Sequence, residues 1–149
     1  MRYATIDLPW ARAPSMPQTS DVIEALLGNV YRSLEQPEER AVYDRLAVSV
    51  DQSMIAPIYL EQRRALELGR RGGARVNVES VEVVDLRDLE AVDAGGVRAT
   101  VAWEAGGFVV HFGHRHFRQN RYEAEIELAP RDGSWKITRL AVLDNQRVR

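Results

Sequence analysis

A polar run between residues 111 and 122 interrupts an otherwise apolar strand pattern and contains all three histidines of the chain. Side chains alternate between the two faces of a strand, so every second residue from position 114 points to one face. The same parity continues into Ala124, Ile126 and Leu128, whose types suit a core. A polar row facing a core is costly unless it lines a pocket or is fully hydrogen-bonded. The residues predicted to form this row are His114, His116, Arg118, Asn120 and Tyr122.

Non-catalytic binding or protein interaction is the leading hypothesis for this row. Arg118 is a natural partner for a carboxylate, and Trp103 and Phe112 offer flat apolar walls. The side chains of a polar row can also hydrogen-bond to one another, or the row can lie in a dimer interface. We therefore expect a small apolar or carboxylate ligand and a homodimer. The predicted ligand-binding residues are Trp103, Phe112, His114, His116, Arg118, Asn120 and Tyr122.

General acid–base catalysis is the second hypothesis, because an imidazole ordinarily titrates near neutrality. His114 or His116 would act as the base, and Arg118 with Tyr122 would stabilise developing negative charge. A catalytic histidine needs an orienting partner, and the sequence identifies only candidates such as Asp144. His114, His116 and Tyr122 are the candidate catalytic residues, but an enzyme is the less favoured interpretation.

A histidine-based metal site is the third hypothesis. His114 and His116 lie two residues apart on a strand, so both imidazoles could reach one ion. His111 has the opposite parity along the chain and would need a bulge at Gly113 to join them. The run offers no carboxylate on the same face, and its three arginines place positive charge around a cation. We therefore predict no metal and no cofactor.

The composition predicts one globular domain. The chain has 149 residues, of which 45% are hydrophobic and 28% are charged, so it can bury a core. Its net charge of −2 gives no reason to expect nucleic acid as a partner. The absence of cysteine excludes disulfides, thiolate catalysis and cysteine-bound zinc. No apolar stretch reaches the ~18 to 20 residues of a membrane span, and residues 1–10 lack the apolar core of a signal peptide.

Three helices are predicted in the first half of the chain. Apolar residues from Val22 to Leu34 recur along one helical face, and residues 19–21 offer N-caps. A second helix starts at Pro37 and a third follows Asp51. After residue 73 the apolar period changes from 3.6 to 2, which indicates strands. The predicted strands are 74–86, 96–104, 108–128 and 135–144, with turns at 105–107 and 131–134.

Three helices before four or five antiparallel strands predict an α+β domain. Parity changes near residues 79–80 and near Thr138 indicate β-bulges, which bend and twist strands. We therefore expect a strongly curved sheet that wraps the helices into a cone, whose mouth is the natural pocket. Residues 19–149 would form this domain. Residues 1–18, which contain three prolines, would form an extended arm, with Tyr3–Leu8 as a candidate edge strand.

The order of these elements, with the stretch Asp132-Gly133-Ser134-Trp135-Lys136-Ile137-Thr138, resembles the NTF2-like (cystatin-like, SnoaL-type) superfamily. The resemblance spans residues 19–145 and implies a cone in which the first helix fills the concave sheet. That superfamily includes isomerases, dehydratases, hydrolases and non-catalytic binding modules, so the fold does not settle the function. The resemblance implies where the pocket lies and names a SnoaL-like enzyme as the alternative function. It carries over no catalytic role, because no enzymatic motif matches.

Three shorter stretches resemble an uncharacterised bacterial family of such domains. There the domains occur as parts of larger, sometimes membrane-anchored, proteins. The resemblance therefore implies a bacterial protein on either side of the membrane and is compatible with a membrane-anchored parent protein. The stretches are Tyr31-Arg32-Ser33-Leu34, Ile58-Tyr59-Leu60-Glu61-Gln62-Arg63-Arg64 and Gly113-His114-Arg115-His116.

Overall fold

The computed structural model of the chain describes residues 15–72 and 74–149, apart from the side chains of residues 65–76 and 111. Three helices precede a four-stranded antiparallel sheet, which confirms the predicted α+β class. None of the described helices is both long enough and apolar enough to span a bilayer. The elements are α1 (Met16–Leu34), α2 (Glu39–Ser49), α3 (Gln52–Gly72), β1 (Ala74–Val92), β2 (Gly96–His111), β3 (His114–Arg131) and β4 (Ser134–Arg147).

Helix α1 begins earlier than the sequence pattern predicts, so the last part of the predicted arm is helical. Ser15 is the N-cap: its hydroxyl accepts from the backbone N–H of Gln18 at 3.3 Å, and the Gln18 side chain accepts from the backbone N–H of Ser15 at 3.0 Å. This capping box satisfies two otherwise unpaired donors, and Pro17 fits the first turn. The candidate edge strand Tyr3–Leu8 lies outside the described residues.

The turn between β2 and β3 lies five residues beyond the predicted one. Strand β2 continues through residues 105–107, and the chain reverses at Phe112 and Gly113, which have φ angles of 50° and 78°. A Cβ on Gly107 would lie 1.8 Å from the carbonyl oxygen of Asn77, so this glycine permits close strand approach and makes no turn. The predicted turn at 131–134 is confirmed, with positive φ at both central residues.

Both predicted bulges are present. The β1–β2 register shifts between Val78 and Ser80, and Thr138 is the extra residue where the β3–β4 register shifts. Each bulge increases local twist. The sheet nevertheless stays open and uncurled, with β1 and β4 as its edges, so the predicted strong curvature is absent.

The core lies between the helices and one face of the sheet. Buried Leu26 of α1 and Leu46 of α2 belong to the same apolar cluster as Ile126 and Leu128 of β3. On the opposite, outer face, Arg98 pairs with Glu127 across the strands. The helices bury only part of the inner face: Ala124 to Leu128 of β3 alternate between buried and half-buried, whereas residues 114–117 are exposed. The β2–β3 hairpin therefore extends beyond the helices.

Candidate functional site

The predicted polar row lies on the helix-facing side of the sheet. The β2–β3 register has no shift from Val97, opposite Leu128, to His111, opposite His114. Residues at even positions of β3 therefore keep the face of the core residues, as the parity predicts. The side chains of the row differ in solvent exposure, because the helices do not reach the hairpin end. His114 and His116 are exposed, whereas Tyr122 is half-buried.

A cavity of about 430 Å³ opens between α1, α3 and the inner face of the sheet. Its walls are almost entirely apolar, because α1 and α3 each present an apolar stripe to strands β2 to β4. Polar side chains on α3 form part of its rim. The lining residues are Leu27, Val30, Tyr31, Leu34, Val50, Met54, Pro57, Ile58, Glu61, Gln62, Trp103, Tyr122, Ile137, Leu140 and Val142.

An aromatic cluster forms one wall of this cavity. The rings of Trp103 and Tyr122 stack with centroids 5.4 Å apart and an interplanar angle of 20°. The indole Nε1–H of Trp103 donates to the hydroxyl oxygen of Tyr31 at 3.2 Å. Burial raises the pKa of Tyr31 to about 12, and burial also raises the pKa of Tyr122. Both hydroxyls therefore stay protonated near neutrality and can donate hydrogen bonds to a bound molecule.

Arg118 and Asn120 lie beyond Tyr122 on the same face, next to the cavity but outside its lining. The Nε–H of Arg118 donates to Oδ1 of Asn120 at 3.2 Å, and Nδ2 of Asn120 donates to Oδ1 of Asn145 at 3.3 Å. The nearby guanidinium and a hydrogen bond from Asn120 both act to lower the pKa of Tyr122, against the larger effect of burial. These residues place one positive charge beside the aromatic wall.

The remaining predicted site residues lie at the exposed end of the hairpin. His114 and His116 have ring centroids 6.2 Å apart, and Phe112 at the turn is 81% exposed. None of the three lines the cavity, so the structure brings together only Trp103 and Tyr122 of the predicted ligand-binding set. A general base must lie within hydrogen-bond reach of its substrate, and the cavity wall contains no histidine among the described residues.

A second cavity, of about 560 Å³, lies between α1 and β1, where the sequence predicts none. Two of its polar side chains, those of Glu24 and Arg32, bond to other parts of the fold. Oε1 of Glu24 accepts from the backbone N–H of Val83 at 2.8 Å, and NH2 of Arg32 donates to Oδ1 of Asn29 at 2.6 Å. Burial raises the pKa of Glu35, which also lines this cavity. Its lining carries four carboxylates against the single guanidinium of Arg32 and is therefore net negative.

Comparison with known proteins gives no family. No family model and no curated protein matches the chain. The intermembrane space region of the chloroplast protein ARC6 is 18% identical, with a TM-score of 0.48 over 87% of this chain and 98% of that one. A de novo designed β-sheet protein is 15% identical, with a TM-score of 0.42 over 88% of this chain and 92% of that one. These similarities assign neither a family nor a function.

Proposed function

We propose that the protein is a non-catalytic module that binds a small apolar carboxylate in the cavity between α1, α3 and the sheet. One observation carries the proposal: a cavity of about 430 Å³ has an almost wholly apolar lining that ends at aromatic hydroxyl groups. Binding sites for small molecules are typically concave and apolar, have volumes of roughly 300 to 1,000 Å³, and contain a few converging polar groups.

The distribution of polar groups orients the proposed ligand. Its carboxylate would approach Tyr31 and Tyr122, whose protonated hydroxyls donate, on the side where Arg118 supplies a positive charge. Its apolar body would lie against α3 and β4, where Ile58 contributes to the wall. The opposite orientation would place a carboxylate beside the carboxylate of Glu61 on the rim.

We also propose that the fold is an open-sheet variant of the NTF2-like architecture. The element order, the bulges at Glu79 and Thr138, and a cavity between the first helix and the sheet support this assignment.

A homodimer is proposed through the edge of β4 around Leu143, whose side chain is 60% exposed. Sedimentation of the native protein and of a Leu143→Lys variant tests this interface. We expect a native dimer and a monomeric variant, and a monomeric native protein would exclude the interface.

Competition binding with a fluorescent probe tests the ligand proposal. The probe 8-anilinonaphthalene-1-sulfonate is an apolar anion, and decanoate serves as the competitor. We expect the native protein to bind the probe and release it to decanoate. Ile58→Trp fills the cavity and should weaken probe binding by about tenfold, because a clash replaces apolar contact. Leu60→Trp is the matched control, since Leu60 lies on the same helix but is 62% exposed.

A second cavity-filling variant distinguishes a loss of probe binding from a loss of folding. Val142→Trp adds bulk from β4 at a residue that lines the cavity yet is half open to solvent, so the fold should tolerate it. Loss of probe binding in Val142→Trp and Ile58→Trp, with Leu60→Trp unchanged, supports the proposal. Equal binding by all three folded variants, or no release by decanoate, would overturn it.

A further inference from the structure

The hairpin between β2 and β3 places all three histidines of the chain around its turn. His111 ends β2, His114 begins β3, and the two are direct partners in the register. His116 follows two residues later, on the same face as His114. A two-residue turn at Phe112 and Gly113 creates this arrangement, so no bulge is needed to bring position 111 onto the histidine face.

We infer that this hairpin end binds a divalent transition-metal ion of the zinc and nickel class through the imidazoles of His114 and His116. The ring centroids of His114 and His116 lie 6.2 Å apart. Two imidazoles that share a tetrahedral ion have centroids about 5 Å apart, given metal–nitrogen bonds of about 2.0 Å. Because both side chains are exposed, small rotations can close this gap without repacking a core.

The charge around the histidines is more favourable to a cation than the sequence alone indicates. Arg115 lies on the opposite face, with its guanidinium carbon 3.7 Å from the centroid of the Phe108 ring and a contact to Glu79 at 3.6 Å. Arg121 shares that opposite parity. Of the three arginines in the run, Arg118 alone shares the histidine face, and its Nε–H donates to Asn120, on the side away from His116.

The proposed ion would keep open coordination positions. No acidic side chain in the described part of the molecule joins the two histidines to form a group of three metal-ligating residues. Two imidazole ligands leave the other positions of the ion to water. The site is independent of the cavity, because neither His114 nor His116 lines it. Loss of one function would therefore leave the other unchanged.

Titration of the untagged, full-length protein with Zn²⁺ or Co²⁺ at neutral pH tests the site. We expect one ion per chain and, with Co²⁺, the visible absorption of tetrahedral coordination. His114→Ala and His116→Ala should each weaken binding by at least about tenfold, since loss of even an outer-shell partner costs roughly 10- to 100-fold.

Two arginine variants serve as controls for the effect of charge, because they remove the same positive charge from opposite faces of β3. Arg118→Gln removes a positive charge from the histidine face and should tighten Zn²⁺ binding by about two- to fourfold at low salt. Arg115→Gln removes the same charge from the opposite face and should have a smaller effect. Circular dichroism checks that each variant is folded. Unchanged Zn²⁺ affinity in folded His114→Ala and His116→Ala would overturn the inference, as would absence of binding by the native protein.

Discussion

The indole of Trp103 stacks on the phenol ring of Tyr122, the residue directly opposite it in the β2–β3 register, and its N–H bonds to Tyr31 of α1. Aromatic pairs in offset or stacked contact stabilise beyond the area they bury. The three side chains therefore fasten the first helix to the centre of the sheet at the wall of the cavity.

The hydrogen bond between Trp103 and Tyr31 should be measurable as a coupling energy. Trp103 is 3% exposed, so its replacement also changes packing, and only a double-mutant cycle isolates the bond. We expect the cycle formed by Trp103→Phe, Tyr31→Phe and the double variant to give about 1 kcal/mol of coupling, the usual net value of a buried hydrogen bond. Urea unfolding monitored by circular dichroism supplies the four free energies. A coupling near zero would contradict the bond.

Burial of Tyr31 predicts a loss of stability at alkaline pH. Its pKa is raised from 10.0 to about 12, so between these values the unfolded chain has released a proton that the folded protein retains. The contribution of Tyr31 is fully present below pH 10 and is lost as pH rises towards 12. The stability difference between native protein and Tyr31→Phe should change by about 1 kcal/mol from pH 9 to pH 11, to the disadvantage of the native protein. A difference that stays constant would argue against a buried hydroxyl.

Periodicity predicts the elements of this fold well but not their ends. The apolar repeat from Val22 to Leu34 identifies α1, yet its start depends on Ser15 and Gln18, whose types also suit a loop. Glycines 106 and 107 resemble a turn in sequence, because glycine serves both tight turns and close strand contacts. Which of these applies depends on where the backbone of Asn77 lies in β1, and local sequence does not carry that information.

Parity correctly places the polar row on the inner face, because a strand without bulges keeps its alternation from Leu128 back to His114. Parity does not tell how far the helices extend over that face. The cavity therefore includes Trp103 and Tyr122 but leaves out the histidines. The helical part of the wall, such as Met54 and Ile58, is visible in the sequence only as an ordinary apolar helix face.

Asn29 of α1 is fully buried against α2, and its replacement should destabilise the protein strongly. Its Nδ2 donates to Oγ of Ser49 at 2.9 Å, and its Oδ1 accepts from NH2 of Arg32 at 2.6 Å. Asn29→Ala leaves both partners without these bonds and should cost about 3 kcal/mol in the free energy of unfolding. Ser33→Ala is a matched control at another fully buried residue of α1. It removes one bond to the carbonyl oxygen of Asn29 and should cost only about 1 kcal/mol.

Neighbouring glycines in β2 should respond very differently to the same substitution. A Cβ on Gly107 would lie 1.8 Å from the backbone carbonyl oxygen of Asn77, which cannot move without disrupting the β1–β2 ladder. A Cβ on Gly106 would meet the side chains of Ser80 at 2.8 Å and Phe117 at 3.0 Å, and these can rotate. We expect Gly107→Ala to destabilise the protein by about 3 kcal/mol or more and Gly106→Ala by about 1 kcal/mol. Thermal unfolding of both variants would show the difference. Equal losses would instead support a turn at residues 105–107, where neither glycine approaches β1.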